Sequence, residues 1–141
     1  MPIQHRLPSL SNAIVSREHA IAAFQRTMSQ PAKPETLVLF LEHDLFCRSA
    51  VSVSGTPKPE AILDVVETVA SAAASQLHLG SLVLASVRPD GGIGPHDDEL
   101  WFDINDIADD AGIALVDWLI FGRFGIFSPP ELLGLASRWA A

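Results

Sequence analysis

Between Ser86 and Glu99 the chain gathers side chains of the kinds that do chemistry, in the stretch Ser-Val-Arg-Pro-Asp-Gly-Gly-Ile-Gly-Pro-His-Asp-Asp-Glu. Ser86 and His96 supply a hydroxyl and a base, but a nucleophile site needs a third group to orient the base, and the sequence marks none. Ser86, Arg88 and His96 could instead form a small anion pocket, helped by backbone N–H groups of the Gly-rich turn. The run His96-Asp97-Asp98-Glu99 contains metal-ligand residue types. Consecutive residues, however, fan around a helix start and do not converge, and acids in a first turn are what the helix dipole favours. Capping is therefore the preferred reading of the acids, and an ion pair with Glu99 the preferred reading of Arg88.

These residues need elements to position them. Residues 1–10 read as an extended arm, and residues 11–141 as a single domain. Helical spacing of Ile14, Ala20, Ile21, Phe24 and Met28 predicts a helix over 11–28, broken by Gln-Pro-Ala-Lys-Pro at 30–34. An apolar strand over 36–41 and an alternating strand over 45–54, joined at His43-Asp44, form a hairpin. A helix opening near Pro59 would bury Ile62, Val65, Val66, Val69, Ala73 and Leu77 and stop at Gly80.

A strand over 81–87 then leads into the candidate loop. Next come a helix over 97–111 capped by Gly112, a strand over 113–121, a turn over 122–125 and a short return at Ile126-Phe127. A last helix, capped by Ser128 with Pro129 at its first position, ends near Trp139. Helices alternating with buried strands imply a layered α/β fold around a mixed central sheet. Trp101 and Trp118 are expected in the core, and Cys47 as a buried small hydrophobe.

Composition narrows the function. The 141 residues are 48% hydrophobic and 18% charged, which marks a globular chain. The net charge of −8, with nine Lys and Arg spread along the chain, leaves no basic stripe and disfavours direct nucleic-acid binding or an anionic membrane surface. One cysteine permits no internal disulfide and no Cys-based zinc site. No apolar stretch is long enough to span a bilayer, and the first residues lack a signal peptide's apolar core, so a cytoplasmic location is expected.

Two stretches together resemble the RadC-like branch of the JAB/JAMM (MPN) metallopeptidase superfamily. Leu82-Val-Leu-Ala85 leading into Ser86-Val87-Arg88-Pro89-Asp90-Gly91-Gly92, then Pro95-His96 and Glu99, resembles the family's strand ending in His-x-His-Pro-Ser-Gly-Asp with Pro-Ser and an Asp beyond. Ala111-Gly-Ile-Ala-Leu-Val-Asp-Trp118, Gly122 and Ser128-Pro-Pro-Glu131 resemble its Leu-Gly-Ile-x-Leu-Leu-Asp-His, Gly and Ser-x-x-Glu. Gly55-Thr56 before Pro59 fits upstream, so the likeness covers roughly residues 35–135.

The resemblance implies a JAB/MPN-like, cytidine-deaminase-like architecture. It also implies a zinc held by two His and one Asp, with a Glu on an earlier strand acting on the bound water. Here the His positions carry Ser86 and Arg88, the Asp position Glu99, the catalytic Ser position His96, and the Glu position falls at Ala50 or Val51. A guanidinium has no lone pair to give a metal. The expected protein is thus a catalytically inactive, zinc-free relative that binds a protein partner or a copy of itself. Two alternatives stand beside it: a peptide or isopeptide hydrolase holding metal through His96 and Glu99, and a DNA-repair-associated RadC-type protein.

Overall fold

A computed structural model describes residues 4–7 and 12–139. In chain order the elements are β1 (Gln4–Leu7), β2 (Asn12–Ala13), α1 (Arg17–Thr27), β3 (Glu35–Glu42), β4 (Phe46–Ser54), α2 (Ala61–Ala74), β5 (Leu79–Arg88), α3 (Asp97–Ala111), β6 (Ala114–Gly122), β7 (Ile126–Phe127) and α4 (Pro129–Leu132). One mixed sheet runs β1-β4-β3-β5-β6-β7, with β2 also paired to β4. All its pairings are antiparallel except β5 with β6, which α3 connects as a parallel crossover.

The sheet is covered on both faces, and the side-chain alternation of its strands shows how. Val38 and Phe40, Leu82 and Leu84, and Trp118 and Ile120 face α2 and α3. The residues between them, Leu37, Leu39, Leu41, Val83, Ala85, Leu119 and Phe121, face α1. Two apolar faces explain the nearly unbroken apolar runs of these strands, in which no period-two pattern shows. On the α1 side the Phe24 and Phe121 rings meet edge to face at 6.0 Å. Cys47 is fully buried there, and burial raises its thiol pKa to about 11.

The expected order of elements is present, with four differences. Within the arm, Gln4–Leu7 forms β1 on β4, while the rest of residues 1–11 lies outside the described residues. Residues 12–13 form β2 where helix was expected, and α1 begins only after Ser16, whose hydroxyl accepts from the His19 N–H at 3.2 Å. Helix α2 ends at Ala74, so Leu77 is 94% exposed and does not join the buried series. Gly80 is no helix stop either. It lies inside β5, where a Cβ would come within 2.8 Å of the His43 ring.

The fourth difference is at the end. The last helix stops at Leu132 and does not reach Trp139. Gly134, at φ 74°, lets the Leu135 and Gly134 N–H groups bond back to the Pro130 and Glu131 carbonyls in a Schellman closure. Residues 135–139 then run on without regular structure. No helix among the described residues is long and apolar enough to cross a membrane.

Candidate functional site

The candidate loop leaves the C-terminal end of β5 and enters α3. Positions 86 and 88 lie on one side of the strand, as period-two geometry requires, and both meet Trp118 of β6. The Trp118 indole N–H donates to Ser86 Oγ at 2.9 Å, and the Arg88 guanidinium stands 5.8 Å from the Trp118 ring centroid. Trp118 is fully buried, and Ser86 is 7% exposed.

Arg88 is held on four sides. Its Nη1 donates to Asp97 Oδ2 at 2.7 Å and to the Gly92 carbonyl at 2.9 Å, while Nη2 donates to Asp97 Oδ1 at 2.9 Å. Asp97 Oδ2 also accepts the Gly94 N–H at 2.5 Å. The two side chains are 12% and 3% exposed. This is a bidentate, mostly desolvated ion pair that fixes the loop's shape.

The arginine's partner is therefore Asp97 and not Glu99. The cause is helical geometry: Asp97 is the first residue of α3 and points back to the strand end, whereas two residues further on the helix has turned by about 200°. Glu99 stands outside, 75% exposed, with its carboxylate 3.9 Å from the ring of His96, itself 77% exposed. The loop is braced from β6 as well. The Arg123 N–H donates to the Gly91 carbonyl at 2.7 Å, and a Cβ at Gly122 would come within 2.8 Å of that same oxygen.

The four candidate residues thus separate into two pairs. Ser86 and Arg88 share Trp118, inside; His96 and Glu99 share the solvent-facing start of α3. With Ser86 accepting from an indole and Arg88 engaged by Asp97, Ser86, Arg88 and His96 do not converge on a common pocket. Ala50 and Val51, at the expected Glu position, bring no carboxylate; Ala50 is buried on the α1 face and Val51 packs against the α2–α3 face. Among the described residues no three His, Cys, Asp or Glu side chains are grouped as metal ligands would be. The residues at this place do not fit a zinc ion: one is a cation, one is a buried hydroxyl already bonded, and two project to solvent.

A second polar centre lies on the opposite face of the sheet. Asp117, 1% exposed, follows a bulge in β6. Its Oδ1 accepts Ser128 Oγ–H at 2.7 Å and the Trp118 backbone N–H at 2.8 Å. Its Oδ2 accepts Arg17 Nε–H at 2.8 Å and the Trp139 indole N–H at 2.7 Å. Arg17 also pairs with Glu131. One carboxylate therefore joins α1, β6, α4 and the C-terminal segment, and every buried side-chain nitrogen and oxygen among the described residues has a partner. The sequence reading missed this centre. A lone acid inside an apolar strand was its one visible signal, since such a charge is buried only when paired.

No protein-family model and no curated protein matches the chain.

Proposed function

We propose that the protein is a zinc-free, catalytically inactive relative of the RadC-like JAB/JAMM domains and acts by binding. The observation that carries this reading is the Arg88–Asp97 pair. At the strand end where the resemblance would set a second histidine, a guanidinium is clamped by a carboxylate, a backbone carbonyl and an indole ring. A guanidinium offers a metal no lone pair, and the carboxylate beside it, Asp97, is engaged by Arg88 and by the Gly94 N–H.

A protein partner suits the adjoining surface. Phe124 is 87% exposed, Leu132 61% and Ile93 42%, and they flank a hollow of about 560 Å³ beside the Gly91–Gly92 turn. Copies of a chain of net charge −8 repel one another, so the occupant favoured is a different protein with a net positive surface.

The test is elemental analysis after incubation with zinc and a chelator wash, with melting followed in chelator. No retained metal and an unchanged melting temperature are expected. About one zinc per chain, lost in His96→Ala or Glu99→Ala, would overturn the reading and advance the hydrolase alternative.

A further inference from the structure

We propose that the open cavity between α3, β6 and the C-terminal segment 133–139 is a binding site for a small aromatic carboxylate. The cavity measures about 460 Å³, within the range of small-molecule sites. Its apolar walls come from Trp101, Phe102, Leu135 and Trp139, and its cation from Arg138.

Arg138 is unusually well oriented for an exposed residue. Its guanidinium lies 5.2 Å from the Trp101 ring centroid, a cation–π contact to a side chain only 1% exposed. Nη1 donates to Asn105 Oδ1 at 2.5 Å and to the Leu115 carbonyl at 2.8 Å. Both Nη1 hydrogens are thereby used. The Nε–H and Nη2–H donors have no partner among the described residues, and that edge of a guanidinium is a fork matched to a carboxylate.

The charges lining the cavity nearly cancel, so it is the free edge of Arg138 and not the surrounding field that selects an anion. Asp117 lines the cavity, but both its oxygens are occupied by four donors. Arg17 sits between Asp117 and Glu131 and shares its one charge with both, and Asp109, which keeps its charge, accepts from the Asn105 amide. Arg138 itself has no carboxylate at ion-pairing distance among the described residues, so its free edge is the positive end of the cavity. The indole and leucine walls add the preference for a flat apolar body over a bare ion such as phosphate.

The experiment is a tryptophan-fluorescence and calorimetric titration of the full chain with 2-naphthoate, 2-naphthalenemethanol and acetate. Saturable one-to-one binding of naphthoate is expected, with the alcohol weaker by about tenfold or more, the size of one charge-assisted contact, and acetate weaker by about tenfold or more because it lacks the ring that the apolar walls bury. Arg138→Gln should weaken naphthoate by about tenfold and leave the alcohol unchanged. Arg138→Lys, which keeps the charge and loses the fork, should lie between. Ala136→Phe, which adds bulk at a lining position and keeps Arg138, should abolish binding with circular dichroism unchanged. Failure of naphthoate to saturate at about millimolar concentration, equal affinity for the alcohol, or indifference to both Arg138 substitutions would overturn the proposal.

Discussion

Asp97 and Asp117 are both carboxylates buried almost completely, each bound by an arginine, yet they organise the molecule on different scales. Every partner of Asp97 lies within nine residues of it, at Arg88 and Gly94, and the product is one rigid loop. The partners of Asp117 come from as far as Arg17, 100 residues away, and the product is the attachment of a helix and a terminal segment to the sheet. The same chemistry serves local shape in one place and global closure in the other. Sequence separation, more than burial or bond count, decides which.

The largest effect that could break this contrast is expected from Asp117→Ala. It leaves the Arg17 Nε–H, an indole N–H, a hydroxyl and a backbone N–H without their acceptor at once, with Arg17 still paired to Glu131, and should cost about 3–5 kcal/mol in urea unfolding. Hydrogen exchange in that variant should rise in both α1 and residues 133–139. Arg88→Ala should cost less, about 2–3 kcal/mol, because Asp97 keeps the Gly94 N–H and solvent can reach the gap. Its exchange increase should be confined to residues 89–97. Equal costs and equally wide exchange patterns would erase the distinction.

A finer test is Ser86→Ala, which leaves the buried Trp118 indole N–H without its acceptor and should cost about 1–2 kcal/mol by the same unfolding assay. At the bottom of the scale stands the exposed pair. His96→Ala and Glu99→Ala should each change stability by less than about 0.5 kcal/mol. A larger loss at either would mean that the outer pair belongs to the locked interior.

The legible parts of the fold were those where burial wrote itself into residue type. The strands at 35–42 and 79–88, and α3 with Gly112 at its end, stand in the sequence as apolar runs or as a helical apolar face with a left-handed cap. β1 and β2 carry no such mark, since they are ordered by pairing with β4 and not by an apolar period of their own. The early end of α4 is signalled only by Gly134, a glycine of the kind that closes helices, while Leu135 and Trp139 carry the apolar content on beyond it.

At the candidate site, the sequence indicated that Arg88 would be neutralised and placed its partner two positions too far along α3. The Asp117 centre depends on contacts across most of the chain. No local pattern encodes which of nine basic residues will arrive at one acid.

That centre also bears on how the molecule comes into being at the ribosome. Arg17 emerges early, its acid follows 100 residues later, and the last donor, Trp139, later still. During elongation α1 can collapse on the first strands through Phe24 and its neighbours, but the clasp over its N-terminal end must wait for the final segment. The emerging protein therefore passes through a stage with its sheet largely assembled and one end unlatched. In that interval Arg17 lacks the carboxylate that later holds it, and its charge is open to other partners to a degree that the closed clasp, which leaves it 25% exposed, does not allow.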